Sequence, residues 1–215
     1  LDIPGEWFYD AQTQYLYAIP MNDQAFRSRQ IAHGLELRKS SYIEIKDIHF
    51  FASIASVINS DHILIDSCTF EYTAATAFGI GDFKRPETVH FFQSSVHHNG
   101  DVYPSDYNTL YNCEFRYING PALTMNGAHH TIENCSFYAI DWTCLGNGGE
   151  GSLNLIKSWK MRFKHNTIDL AGNSEGVRVG RHSRVEYNLV SRMSLLQHDG
   201  SAINVGVRQI DGTNL

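Results

Sequence analysis

Apolar and polar residues alternate in short runs that recur along the chain. Each run is followed by a small or amide residue and, two places on, by another apolar one. The runs are Tyr42-Ile-Glu-Ile-Lys-Asp-Ile48, His62-Ile-Leu-Ile-Asp-Ser-Cys-Thr-Phe70, Thr88-Val-His-Phe-Phe-Gln-Ser-Ser-Val96 and Thr109-Leu-Tyr-Asn-Cys-Glu-Phe115, then Thr131-Ile-Glu-Asn-Cys-Ser-Phe137, Lys160-Met-Arg-Phe-Lys-His-Asn-Thr-Ile168 and Arg184-Val-Glu-Tyr-Asn-Leu-Val190. Anchored on Lys46, Cys68, Ser94, Cys113, Cys135, Asn166 and Asn188, they step by 22, 26, 19, 22, 31 and 22 residues, a mean of about 24. A second strand-like set lies between them, at 77–80, 122–125, 153–156, 177–179 and 202–205, mostly reached through Gly or Asn. Period-two alternation bounded by turn residues predicts strands, and helical periodicity is hard to find after residue 35.

A repeat near 24 residues with two or three strands per unit predicts an all-β fold, a single-stranded parallel β-helix in which no coil buries its apolar face alone. About seven coils, each rising ~4.8 Å, form a column. Equivalent positions then fall in line, so Cys113 and Cys135 are expected as ladder neighbours, and so are Asn166 and Asn188. The cysteines are expected as a small buried rung rather than as metal ligands or a disulfide. A β-sandwich also explains the alternation, but not the recurring Asn/Cys-x-Phe register.

Composition narrows the function classes. The chain has 215 residues, 12% of them aromatic, a net charge of −6 and four cysteines. This is the opposite of a disordered composition. The absence of clustered Lys and Arg argues against a nucleic-acid partner, and no apolar run is long enough to span a membrane. Four cysteines are too few for a disulfide scaffold. Beginning at Leu1 and stopping without a closing pattern, the chain reads as a mature or trimmed fragment of a longer β-helix.

The segment Pro4-Gly-Glu-Trp-Phe-Tyr-Asp10, followed by Leu16-Tyr-Ala-Ile-Pro20 and then the repeats, resembles right-handed parallel β-helix proteins of the pectate-lyase-like superfamily, in particular its carbohydrate-active members. The resemblance covers essentially the whole chain. It implies an aromatic-rich N-terminal cap segment at 1–40, a right-handed β-helix at 41–215, and a secreted or periplasmic protein acting on a polysaccharide or oligosaccharide. The superfamily holds hydrolases, lyases, epimerases and non-catalytic adhesins, so the chemistry must come from the site.

Two long connections carry candidate chemistry, because function tends to sit on long loops of a rigid scaffold. The loop at 141–151 holds Asp141, Trp142 and Glu150, and the one at 97–107 holds His97, His98, Asp101, Tyr103, Asp106 and Tyr107. Carboxylates can move protons, and Trp142, Tyr103 and Tyr107 can stack on sugar rings. Glu150, Glu175 and Asp199 each lie just before a strand of the second set and predict an acidic column, given one or two residues of slip. One coil rise is close to the ~5 Å between the carboxylates of retaining glycosidases, and two coils approach the upper end of the roughly 6.5–9.5 Å range of inverting ones. Asp199 is the first choice, since His198-Asp-Gly-Ser-Ala-Ile203 resembles the Asp-Gly-x-Ala-Ile segment of related β-helix hydrolases. These acids can equally cap turns or hold Ca²⁺, the one cofactor considered.

The leading expectation is hydrolysis of glycosidic bonds by Asp199 with Glu175 or Glu150, with Asp141 in reserve and His198 and Arg178 near the substrate. A lyase is the runner-up; it needs a cation to neutralise a uronate and a base to take its C5 proton, from among Lys157, Arg178, Arg181, His182 and Arg208. A plain Arg178–Glu175 salt bridge competes with that role. The third reading is a non-catalytic glycan-binding or adhesin-type β-helix. Three motifs are set aside. Gly146-Asn-Gly-Gly-Glu-Gly151 lacks a β-α-β context. His97-His98 and His129-His130 point to opposite faces of a strand. The sequon Asn134-Cys-Ser136 is expected to be buried on the ladder.

Overall fold

A computed structural model describes residues 1–21, 33–73, 90–93, 95–96, 102–103, 105–142, 152–172, 175–196 and 200–205. The chain divides into two compact units, Leu1–Gln30 and Ile31–Leu215. Among the described residues every regular element is a strand.

In the first unit, Trp7–Asp10 pairs antiparallel with Tyr15–Ala18. The turn between them closes through the Asp10 side chain, which accepts the Gln12 N–H at 2.9 Å, and through the Gln14 N–H, which donates to the Asp10 carbonyl at 2.8 Å. Phe8 and Tyr17 stack across the pair. Trp7, Phe8, Tyr9, Tyr15, Leu16 and Tyr17 are all exposed within this hairpin.

The second unit consists mainly of three parallel sheets that the chain visits in rotation. The first contains Glu44–Lys46, Leu64–Asp66, Thr109–Tyr111, Thr131–Glu133, Arg162–Lys164 and Arg184–Glu186. His49–Phe51, Thr69–Glu71, Glu114–Ile118, Ser136–Ile140, Thr167–Ala171 and Leu189–Ser191 form the second. The third runs from His33–Arg38 through Ile54–Ile58, His90–Gln93, Leu123–Ala128, Leu153–Trp159 and Val177–Val179 to Ile203–Val205. His33–Arg38 thus belongs by its pairing to the parallel array.

The registers explain the repeat. Ile45, Ile65, Leu110, Ile132, Phe163 and Val185 stand in line on the first sheet. Phe50, Phe70, Phe115, Phe137, Ile168 and Val190 do so on the second. Strand alternation sends these residues to one face and their polar neighbours to the other. With Val57, Leu123, Leu155 and Val179 of the third sheet they make up most of the core, against which the terminal Ile45, Val185 and Val190 pack half-buried. Four phenylalanines of the second line stack at 4.8, 4.8 and 4.9 Å. The amide ladder also forms: Asn166 Nδ2 donates to Asn188 Oδ1 at 3.0 Å, and Asn166 Oδ1 accepts the Cys135 N–H at 2.9 Å. Cys68, Cys113 and Cys135 are buried and free, as the rung reading requires.

Three expectations need correction. The segment at 88–96 is not a further copy of the Cys-bearing unit: Thr109 pairs directly with Leu64, and His90–Gln93 joins the third sheet beside Ile54–Ile58. Apolar alternation fixes a strand's face but not its sheet, which is why the steps around Ser94 were uneven. Lys46 is not in line with the cysteines either. It pairs with Asp66, and Ile48 takes the place before the hydrogen bond that Cys68, Cys113, Cys135 and Asn166 occupy in later rungs. Third, Asn134 is exposed, not buried on the ladder. It occupies a corner with φ 56°, where its amide donates to Asn112. The strand-like run at 77–80 lies outside the described residues.

The corners were invisible to turn chemistry because they use left-handed residues other than glycine. One corner series reads Tyr42, His62, Tyr107, His129, Lys160 and His182, with φ of 52–60°. Another reads Asp47, Ser67, Asn112, Asn134, His165 and Tyr187, and a third Ala52, Tyr72, Tyr117, Ala139, Leu170 and Arg192. The left-handed conformation costs L-residues roughly 1–2 kcal/mol each. Here it is offset by hydrogen bonds to the adjacent rung, such as the Tyr107 N–H to the Ala128 carbonyl and the Asn112 N–H to the Glu133 carbonyl.

On the outer face of the second sheet, Arg192 pairs with Asp169 through two nitrogens and holds its carboxyl down at about 2. A depressed carboxyl stabilises the fold above its unfolded pKa, and that contribution is lost as the pH falls through the folded value. Between about pH 4 and pH 2 the urea midpoint should therefore fall more in the natural protein than in Asp169→Asn. The difference should be about 1 kcal/mol or less, because the Arg192 side chain is mostly exposed.

Candidate active site

Glu175 is the expected catalytic residue whose surroundings are described most fully. It precedes Val177–Val179 in the third sheet, and its backbone is fixed from both sides. The Ser152 N–H donates to the Glu175 carbonyl at 2.8 Å, and the Gly176 N–H donates to the Ser201 carbonyl at 3.1 Å. Gly176 is needed there, since a Cβ would lie 2.4 Å from the Ala202 carbonyl oxygen. Asn204 Nδ2 donates to Glu175 Oε1 at 2.7 Å, while Arg178 Nε lies 2.8 Å from Oε2 as an ion pair too poorly aligned to be a hydrogen bond. The expected Arg178–Glu175 salt bridge is thus present, with the two side chains 19% and 14% exposed.

Strand register sets the surroundings of this cluster. Thr124, Asn154, Arg178 and Asn204 are successive partners across the third sheet. Each follows an apolar residue, Leu123, Leu153, Val177 or Ile203, that is also in register, so the four side chains alternate away from that apolar line and form a polar column. The sequence held this signal as an apolar residue followed by a polar one in each strand of the second set. Glu175 lies two residues before its apolar partner, Glu150 three before its own and Asp199 four. Glu150, Asp199 and His198 lie outside the described residues, as do His97, His98 and Asp101.

Asp141 lies near this cluster, but its side chain is completely buried. It accepts a hydrogen bond from Ser152 Oγ at 3.1 Å, and its backbone N–H donates to the Ile118 and Gly120 carbonyls. Ser152, which sequence reasoning did not single out, therefore joins the Asp141 side chain to the Glu175 backbone. A group without solvent exposure cannot reach a sugar in this arrangement, so Asp141 acts here as a support for the corner. Trp142 follows it and is half-buried. Gly172 fits closely behind this pair, with a Cβ there 2.5 Å from the Asp141 carbonyl oxygen.

Tyr107 does not meet its expected role as a sugar platform. Its ring is stacked on His62 at 5.3 Å and on His129 at 4.7 Å. Both faces are covered, although the residue is 53% exposed at its edge. Tyr42 extends the same stack beyond His62 at 4.7 Å. The backbone of Tyr103 lies in a short hairpin, paired with Ser95. The adjacent His129 and His130 do point apart, His129 to the corner stack and His130 to a fully buried position. There His130 Nδ1 accepts the Asn108 N–H at 3.3 Å.

Among the described residues no group of three His, Cys, Asp or Glu side chains could hold a metal ion, and no helix is long and apolar enough to cross a membrane. Comparison with models of known protein families, with curated proteins and with solved structures finds no match.

Proposed function

We propose that the three sheets are the walls of a right-handed parallel β-helix of about seven coils, and that the protein hydrolyses glycosidic bonds in a polysaccharide or its oligosaccharides. The observation that carries this reading is the convergence of Glu175, Arg178 and Asn204 at the head of the third sheet, beside the polar column of Thr124 and Asn154. A row of amide, hydroxyl and guanidinium groups at ~4.8 Å spacing suits a chain of sugar hydroxyls. The segments bearing Glu150 and Asp199 lead into the strands on either side of the one that Glu175 precedes. Two carboxylates one or two coils apart meet the geometric need of retaining or inverting hydrolysis. Asp199 and Glu175 are assigned as the reacting pair, with Glu150 the substitute, and a secreted or periplasmic location accords with such a substrate.

A second reading is favoured by the same cluster. One Glu175 oxygen accepts from Asn204, and Arg178 sets its charge against the other as an ion pair rather than against a substrate carboxylate. That pairing suits a non-catalytic glycan-binding surface and weighs against a lyase that needs Arg178 to neutralise a uronate. A panel of neutral and acidic polysaccharides separates the readings. New reducing ends without an unsaturated, ultraviolet-absorbing product are expected. An unsaturated product would replace hydrolysis by elimination, and binding without cleavage would leave the non-catalytic surface.

A further inference from the structure

Away from this site, the outer face of the first sheet carries positive charge that its neighbours leave unbalanced. Phe163 is buried and Val185 half-buried, so alternation turns Arg162, Lys164, Arg184 and Glu186 outward. Arg162 and Arg184 are register partners, one rung or ~4.8 Å apart. Like charges that face each other across strands oppose the pairing. Elsewhere in the sheets cations are matched: Lys46 pairs with Glu44, Arg116 with Glu71 and Glu114, Lys164 with Glu133, Arg178 with Glu175 and Arg192 with Asp169. Among the described residues Arg162, Arg184 and the corner residue Lys160, all exposed, make no such pair. The acids in these rungs, Glu133 and Glu186, stand on either side of Lys164 in the neighbouring column.

Trp159 leads into the same corner. It is 58% exposed, and its register partner is Ala128, whose methyl group is too small to cover the indole. Lys160 follows, and its N–H donates to the Arg181 carbonyl at 2.9 Å, which ties this corner to the rung that bears Arg184. An apolar ring beside exposed cations matches one kind of ligand, a sugar chain that carries anionic groups. The indole suits the C–H face of a sugar ring, and guanidinium groups suit the paired oxygens of a carboxylate or sulfate. Nucleic acid fits less well. The cations here fall short of the roughly six to ten phosphate contacts of a nucleic-acid binder, and a net charge of −6 opposes a densely charged phosphate chain.

We propose that Trp159, Lys160, Arg162 and Arg184 form a binding surface for an acidic polysaccharide, one bearing carboxylate or sulfate groups. Trp159 ends the strand whose start adjoins Ser152 and Glu175, so this surface and the head of the third sheet lie at opposite ends of that strand. Binding here does not depend on cleavage there.

The test measures binding of the full chain to polygalacturonate and to dextran sulfate, with neutral dextran and a single-stranded oligonucleotide as comparisons, at low and high salt. Dextran and dextran sulfate share a backbone and differ in charge. The expected result is saturable binding to one or both acidic chains that weakens with salt, none to dextran, and weaker binding to the oligonucleotide. Arg162→Gln combined with Arg184→Gln should lower the affinity at least ~10-fold, the order of one charge-assisted hydrogen bond. Trp159→Ala should lower it while leaving its salt dependence in place. Arg192→Gln, which removes the same charge from the second sheet, should stay within about twofold. Unfolding midpoints show that each variant remains folded. No binding to either acidic chain, undiminished affinity in the double variant or in Trp159→Ala, an equal loss in Arg192→Gln, or tighter binding to the oligonucleotide would overturn the proposal.

Discussion

Replacing Phe115 by alanine is expected to destabilise the protein by about 3–5 kcal/mol, the range for removing a large aromatic from a packed core. Phe115 is fully buried and stands in the middle of the stack, with Phe70 at 4.8 Å on one side and Phe137 at 4.9 Å on the other. Truncation removes the contacts of both rings at once, and parallel backbones on both sides leave little room for collapse into the space. The denaturant midpoint measures the loss. Phe50→Ala, at the near end of the stack and 6% exposed, should cost visibly less. Equal losses at the two positions would mean that the stack does not govern the packing.

Gly127→Ala is expected to cost on the order of 3 kcal/mol or more, despite adding one methyl group. Gly127 has φ 111°, which L side chains rarely adopt, and a Cβ there would lie 2.1 Å from the Ser105 carbonyl oxygen and 2.9 Å from His130 Nε2. Neither neighbour can retreat easily. Ser105 Oγ donates to the Ser60 carbonyl at 2.8 Å, and Asn108 Nδ2 donates to the same carbonyl and to Ser105 Oγ. Asn108 Oδ1 also accepts the Ile63 N–H at 2.8 Å. The substitution therefore strains a buried polar network rather than a flexible side chain. A change in unfolding free energy below ~1 kcal/mol, within the ordinary range for tolerated substitutions, would show that the network yields.

Much of this architecture could be read from the residues, because burial on one face forces the apolar positions into register. The lines through Leu110 and Ile132 and through Phe115 and Phe137 follow from alternation and spacing alone, and so does the step from Cys113 to Cys135. The direct pairing of Ile65 with Leu110 and of Phe70 with Phe115 does not, since the run at 88–96 carries the same pattern between them. The corners do not follow, since Tyr107, Ala139 and Leu170 adopt φ above 50° against their own preference, Tyr107 held by its N–H donating to the Ala128 carbonyl of the next rung. The sheet of His90–Gln93 was illegible for a related reason: pattern gives a face, while partners give a sheet.

At the site, Glu175 and Arg178 could be linked from their spacing, but Asn204 and Ser152 could not. Their roles depend on which residues the register brings alongside. Tyr107 shows the opposite failure. An exposed aromatic on a long loop suggests a sugar platform, yet its stacking partners come from His62 and His129, distant in sequence and adjacent in the column.

The central claim is that the head of the third sheet carries out hydrolysis, and it is tested most directly by release of reducing ends from a glycan that the natural protein cleaves. Glu175→Gln and Asp199→Asn are compared with the natural protein, with unfolding midpoints measured alongside to show that each variant remains folded. The account predicts that each loses at least ~10³-fold in turnover, the order expected when an essential acid, base or nucleophile is removed. Undiminished turnover in both folded variants would contradict it and move the chemistry away from this face.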